Sequence, residues 1–501
     1  MAGEAPPRAA LTIEYGEPAG RWVLAATVLG SAIAFLDATV VNIALPAIGR
    51  DLDAGVAGLT WTINAYTLTL AAFVLVGGSL GDRFGRRRVF MVGSAWFGLS
   101  SLACAVATDI GMLVAFRAVQ GIGAALLTPG ALAILQATFR AEDRSRAIGA
   151  WSGLAGIAGA VGPFLGGWMV DVGSWRWIFF LNVPVVLAVL LIAHRHVPES
   201  RDDTASGRLD LPGAGLAAAG LCLITFGLSA WPEKGAGSAS VQVGLVLGLL
   251  GMAGFVVRER VAAHPMLPLG IFAAPRFGAT NLVTFLVYAG LGGVFFWLVV
   301  ALQVVSGWDP LTAGISLLPV TLLMLLFSPQ AGVLGDRLGP RLPMTVGPLI
   351  AAAGVALLTR IGPQAAYLTD VLVPVTLLGV GLTLTVAPLT ATVLGSVDDS
   401  SAGLASGVNN AVARTGGLLI IAVLPALTGL GADGFSEPTA LAPAFRTAML
   451  ICAILLALGG AVAGLSIRPL KAPPRDEGPA CPSRHCAVDA PPPAVTGRSQ
   501  A

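Results

Sequence analysis

The chain has 501 residues, 55% of them hydrophobic and only 11% charged, with a net charge of +2 and a mean hydropathy of +0.83. An ordinary soluble domain is about 25% charged, so a chain of this composition cannot hide its apolar surface from water. Its scattered basic residues exclude nucleic-acid recognition by an electrostatic footprint, and five cysteines, three of them inside apolar runs (Cys104, Cys222, Cys452), give neither a disulfide framework nor paired metal spacing.

Apolar runs of about 20 residues, the length that crosses a hydrocarbon core, recur fourteen times along the chain. They lie near 22–46, 59–80, 89–108, 110–136, 146–171, 176–195, 211–231, 241–258, 277–304, 312–334, 343–362, 370–394, 402–430 and 445–467. Backbone polar groups cannot stay unpaired in lipid, so each run is expected to be a helix. The first run is too long, and its flank too acidic (Glu4, Glu14, Glu17), for a cleaved signal peptide. Connections after even-numbered spans hold fifteen arginines, against five Arg or Lys after odd-numbered spans. Positive charge stays inside, so both termini are expected in the cytoplasm. Two lysines (Lys234, Lys471) among many arginines, with abundant Ala and Gly, fit the coding bias of a high-GC bacterium, which makes the cytoplasmic membrane the expected location.

Span 1 carries "LDATVVNIALP" (36–46), with Asp37 and Asn42. Span 2 carries Tyr66 and runs into "GSLGDRFGRRR" (78–88), a knot of charge between two apolar stretches. There Gly78 and Gly81 let helices approach, Gly85 permits a sharp turn, and Asp82 can pair with arginine or cap a helix. On charge alone this is a topogenic cytoplasmic loop. Span 4 opens with "RAVQGIGAA" (117–125), which contains Arg117 and Gln120. Span 5 carries glycines at 153, 156, 159, 162, 166 and 167, with Pro163 where a bend is expected. Ordinary small-residue packing is the plainer account of them. "WRWIFFLNVP" (175–184) enters span 6, and the polar stretch "PESRDDTASGRLD" (198–210) follows it. In the second half, "GVLGDRLGPR" (332–341), with Asp336 and Arg337, matches "GSLGDRFGRR" (78–87), and Asp336 lies 254 residues after Asp82. Topogenic charge has no need of the same letters twice. Internal duplication belongs to transporter folds, whose sites lie at midplane between the repeats. The spacing exceeds that of two six-span units by about two inserted spans. The expected divisions are a cytoplasmic tail at 1–21, a six-helix bundle at 22–196, a linker at 197–210, two inserted helices at 211–260, a second six-helix bundle at 261–467 and a disordered tail at 468–501.

Five motifs in this order, on fourteen spans, resemble the major facilitator superfamily, and within it the fourteen-helix drug:proton antiporter branch. The resemblance covers nearly everything except the tails. It implies an all-α integral membrane protein of two six-helix bundles plus two additional central transmembrane helices. It also implies export of a lipophilic drug, antibiotic or secondary metabolite by alternating access, driven by protons. In the family the loop after span 2 is a latch for the outward-facing form, which by position assigns Asp82, Arg83 and Arg86, with Asp336 and Arg337 in the second copy. The pattern of Gly162, Pro163, Gly166 and Gly167 marks exporters. Two positions depart from the family: Pro340 stands where the first loop has Arg86, and Ala158 where the span 5 motif begins with Gly.

Two ionisable residues lie well inside the spans, Asp37 and Arg117. A charge near the bilayer centre costs at least about 2.5–3.5 kcal/mol, which makes each a functional candidate. Asp37 lies nine residues before Pro46, and Arg117 about seven after the start of span 4. At about 1.5 Å per residue their depths differ by about 3 Å, so they can meet. A neighbouring guanidinium and the loss of water act in opposite senses on a carboxyl's hold on a proton, whereas arginine stays charged. Asp37 is therefore the proton carrier and Arg117 its counter-charge; the plainer alternative is a permanent ion pair fastening span 1 to span 4. Arg414 is placed near the cytoplasmic start of span 13, within snorkelling reach of the interface.

Asn42, Tyr66, Gln120, Asn281, Tyr288 and Trp297 are the candidate cavity residues, each more often a packing residue than a contact. Scarce intramembrane acid argues against a multivalent cation and favours a neutral or singly charged lipophilic compound. "GGSLG" (77–81) fits a nucleophile elbow, but the four histidines lie in connections or the tail. "CPSRHC" (481–486) matches no usual zinc spacing. No metal and no cofactor are expected; the partners are a lipophilic small molecule, protons and the lipid bilayer, with the chain a monomer. A dedicated metabolite exporter is the nearest alternative. A membrane enzyme or sensor is more distant, because no catalytic constellation is present.

Overall fold

The computed structural model describes residues 13–201, 210–263, 265–397, 402–431 and 434–467; the tail at 468–501 and residues 1–12 fall outside them. The regular elements among the described residues are all helices, apart from one isolated bridge between Ile13 and Phe139. Six helices come first: α1 (Pro18–Asp51), α2 (Val56–Phe84), α3 (Arg86–Ala105), α4 (Ile110–Thr138), α5 (Ala141–Val172) and α6 (Arg176–His196). A hairpin of α7 (Leu211–Lys234) and α8 (Ala239–Val261) follows. The second set is α9 (Pro275–Val304), the short α10 (Pro310–Ile315), α11 (Leu318–Leu338), α12 (Arg341–Leu357), α13 (Val373–Leu394), α14 (Ala402–Leu427) and α15 (Pro438–Ser466).

Local signals set these boundaries. Asp109 caps α4 by accepting from Met112 N at 2.9 Å, and Asp309 caps α10 by accepting from Thr312 N at 2.8 Å. Thr312 also gives Asp309 a side-chain hydrogen bond, and together these hold its carboxyl below the usual carboxylate range. Pro18, Pro275 and Pro438 open their helices, where a missing N–H costs nothing. Among the described residues twelve helices are long and apolar enough to cross a membrane, thirteen when the two halves of α2 are one span. The glycine-rich α5, 32 residues long, stands outside that count, against fourteen spans expected.

Helices α1–α6 pack on one another, as do α9–α15, while the α7–α8 hairpin lies against both α2 and α14 and covers the seam between the two sets. The ends of the two sets differ. On the face opposite the arginine-rich connections, one apolar cluster runs through both, from Val40, Ile43, Leu45 and Ile48 of α1 to Phe296, Trp297, Val300 and Leu302 of α9. Gln303 of α9 donates to the Ile43 carbonyl across it at 3.0 Å. On the arginine-rich side the core of the first set, including Val23, Phe90, Leu135 and Val189, is a separate cluster containing no residue of the second. The two bundles thus share a core on one face and have separate cores toward the other.

Residues 13–17, expected within a tail, are tied to the α4–α5 turn. Ile13 N donates to the Thr138 carbonyl at 2.9 Å, Tyr15 N to Asp143 Oδ2 at 3.0 Å, and Glu14 pairs with Arg140.

Candidate functional site

In the first bundle α1 and α4 bring Asp37 and Arg117 together. Arg117 Nη1 stands 2.5 Å from Asp37 Oδ2, and each residue is only 1% exposed. Gln120, one turn along α4, accepts from Arg117 Nη1 at 2.7 Å and donates to Asp37 Oδ1 at 3.0 Å. Asn182 of α6 reaches Asp37 Oδ1 at 3.4 Å and donates to Ser101 Oγ of α3 at 3.0 Å. The remaining side of the guanidinium donates through Nε to the Thr62 carbonyl of α2 at 3.1 Å, and its centre lies 4.3 Å over the Tyr66 ring. Five helices therefore meet on one buried carboxylate. A buried charge persists only when it is paired and hydrogen-bonded, and here the donors are arginine, glutamine and asparagine together.

Of the candidate residues, Asp37, Arg117, Gln120 and Tyr66 form one site. Asn182, Ser101 and the Thr62 carbonyl belong to it too and were not foreseen. Asn182 lies six residues after the start of α6, a depth close to that of Arg117, so the depth rule that paired Asp37 with Arg117 was sufficient to find it. The others lie elsewhere. Asn42 turns back on its own helix, donating to the Ala38 carbonyl at 3.2 Å. Asn281, in the second bundle, accepts from Asn409 at 3.2 Å. Tyr288 is half-buried on α9. Trp297 is fully buried, its ring 5.2 Å from that of Phe435, so it belongs to the closed face rather than to a cavity wall. Arg414 also departs from expectation: it is the thirteenth residue of a 26-residue helix, at its midpoint rather than near its start. Counted from 402, where the apolar run also begins, the sequence gives the same depth.

The loop between α2 and α3 turns on Gly85, whose φ of +108° an L side chain rarely adopts, with the Glu199 carboxylate packed where a Cβ would project. Gly339, its counterpart between α11 and α12, has φ +78°. The repeated letters thus encode a repeated turn. Asp82 binds Arg86 within the loop, Nη2 to Oδ1 at 2.8 Å. Arg87 and Arg88 lie 3.7 and 3.6 Å from Glu199 at the end of α6. Arg83 is half-buried and Arg337 exposed, while the Asp336 side chain lies outside the description. Gly78 leaves room beside Pro129 of α4. These contacts stay inside the first bundle, so no latch to the second is made among the described residues.

On α5, Gly162 faces Thr39 and Gly166 faces Val40, both on α1, while Gly167 meets the backbone of Pro310 and Leu311 in the second bundle. A Cβ at 167 would stand 2.5 Å from Leu311 Cα and 2.7 Å from the Pro310 carbonyl oxygen. The glycine pattern brings α5 against α1 and, at Gly167, lets the second bundle close on the first. The side chain of Pro163 lies outside the description.

The family model described as Major Facilitator Superfamily matches residues 27–421. The chain is 38% identical over 431 residues to the cephamycin export protein CmcT of Amycolatopsis lactamdurans, covering 84% of this chain and 87% of that one. It is 35% identical over 405 residues to the tetracenomycin C resistance and export protein of Streptomyces glaucescens, covering 81% and 75%. With the multidrug resistance protein Stp of Mycobacterium tuberculosis (strain CDC 1551 / Oshkosh) it shares 34% over 416 residues, covering 83% and 77%. Among solved structures, a bacterial homologue of the human lysosomal transporter Spinster, in an inward-facing and unoccupied conformation, superposes with a TM-score of 0.64 at 17% identity, covering 90% of this chain and 97% of that one. The D-xylose–proton symporter superposes with a TM-score of 0.63 at 14% identity, covering 90% and 98%. Helical passes in two bundles, a duplicated interhelical turn and a buried charge network define a membrane transporter, not an enzyme. The chain belongs to the Major Facilitator Superfamily.

Proposed function

We propose that the chain exports lipophilic small molecules of antibiotic or drug type across the bacterial cytoplasmic membrane in exchange for protons, working as a monomer by alternating access. The observation that carries this reading is the buried network on Asp37. Its carboxylate is held by three side chains from two other helices, so adding or removing one proton changes what binds α1 to α4 and α6. Protonation removes the charge that holds Arg117. Loss of that attraction loosens α1 and couples proton uptake to bundle movement.

The arginine-rich connections support a cytoplasmic position for that face and for both termini. The side with separate cores is then the inner one, and the conformation is open inward and closed outward. In this state Asp82 is paired within its own loop; in the outward-open state the same loop is the latch, closing against the second bundle. The relatives named for antibiotic export and for multidrug resistance supply the cargo class. Names tied to one compound, cephamycin or tetracenomycin C, favour a second reading as a dedicated exporter on the same fold. A resistance panel in a heterologous host separates the two, since a broad pump raises tolerance to several unrelated compounds.

The test of export is accumulation in cells. Wild-type protein should lower the steady-state level of its cargo until a protonophore is added, and the Asp37→Asn variant at equal expression should behave as the protonophore-treated wild type. Protonophore-insensitive efflux contradicts the reading.

A further inference from the structure

Charges at membrane depth do not balance. Two arginines, Arg117 and Arg414, and one carboxylate, Asp37, stand well inside the described spans, and Asp37 is taken by Arg117, Gln120 and Asn182. Arg446, exposed in the third turn of α15, is within snorkelling reach of its face. Arg414 is not: at about 1.5 Å per residue it lies about 18 Å from either end of α14. Among the described residues no carboxylate pairs with it, and the acids of the second bundle, such as Asp309, Asp370 and Glu437, sit at helix ends.

Helix geometry says where Arg414 faces. Asn409 donates to Asn281 and Thr284 of α9, and Gly416 and Ile420 pack on Phe285 and Gly293 of the same helix. Leu418 lies on the other side, clustered with Leu68 of α2 and Leu221 of α7. At about 100° per residue Arg414 is one turn before Leu418 on that same side, toward the first bundle and away from lipid. It is only half-buried.

We propose that Arg414 is a carboxylate-binding group between the two bundles and that the cargo is a lipophilic monoanion, gripped by the guanidinium. The guanidinium fork matches a carboxylate in two parallel hydrogen bonds. An anionic head supplies the charge that this depth lacks. The inference narrows the expectation of a neutral or singly charged cargo to one sign of charge. It rests on the export reading, but its test needs no gradient, so the two can fail separately.

The test is equilibrium binding of a matched fluorescent pair, 1-pyrenebutyrate and 1-pyrenebutanol, to the protein in phosphatidylcholine nanodiscs, with empty discs subtracted. Wild type should bind the carboxylate about tenfold or more tighter than the alcohol, the order of a charge-assisted hydrogen bond. Arg414→Gln should abolish that preference and leave alcohol binding unchanged, whereas Arg414→Lys should keep part of it. A wild type with no preference, or an Arg414→Gln variant that keeps it, overturns the inference. So does equal loss of both probes in Arg414→Gln and Arg414→Lys, which marks a structural role. If Arg414→Gln does not fold, the Arg414→Lys preference decides: a value equal to wild type's counts against fork recognition, and a reduced one supports it. Binding of neither probe to wild type also contradicts it.

Discussion

A guanidinium and a carboxylate, each 1% exposed and 2.5 Å apart, are tolerable in a membrane only as a pair. Removing one partner leaves the other buried and uncompensated, a loss of about 3–5 kcal/mol in soluble proteins. Arg117→Ala should therefore lower the unfolding midpoint in detergent below that of wild type. An unchanged midpoint contradicts the pairing. The pair was legible in the sequence because a charge in an apolar run is expensive and the depths of two such charges can be compared by counting residues. Asn182 obeys the same arithmetic, but a neutral amide costs less and stands out less. Arg414 was legible as a charge and misjudged as to depth, although the residue count applied to Asp37 and Arg117 puts it thirteenth from the start of its run at 402.

Among the elements, α5 does two things with one kind of residue. Gly162 and Gly166, four apart, share a face and admit α1, while Gly167, one residue on, faces α10. The obstacle to a side chain at 167 is backbone, which cannot rotate out of the way. Gly167→Val should therefore hold the outer ends of the bundles apart and favour the outward-open form. Spin labels on Arg50→Cys and Ser436→Cys, which line the same outer cavity of about 230 Å³, should report a longer mean separation in this variant. An unchanged distance distribution contradicts the role given to Gly167. The sequence displayed these glycines plainly but not their partners, since spacing on one helix fixes a face and says nothing of which helix fills it. The duplicated loop was more telling. Gly85 and Gly339 occupy equivalent places and both adopt positive φ, so a match of letters at 254 residues' distance reported a shared turn.

For the whole molecule, composition and the recurrence of apolar runs are enough to read a helical membrane protein, because lipid leaves the backbone no other way to satisfy itself. The relation of the two bundles is not written in that periodicity. It depends on which ends share an apolar cluster, and spacing along single helices does not report this. In the arrangement seen here, the apolar cluster that includes Val40, Val41 and Ile43 separates Asp37 from the outer face. On the proposed mechanism a proton from outside reaches Asp37 only once the bundles rock and that cluster divides. Coupling on that mechanism follows from this exclusion: Asp37 and the space between the bundles open to one compartment at a time, so proton and cargo cross in alternate states.

Substrate-triggered proton release in everted vesicles, with wild type and Asp37→Asn compared at equal protein, tests this coupling most directly. Wild type should shift the signal of a pH-sensitive dye when cargo is added, and Asp37→Asn should give no shift while still binding cargo. A variant that releases protons as wild type does would show that the carboxylate at 37 is only a fastening between helices.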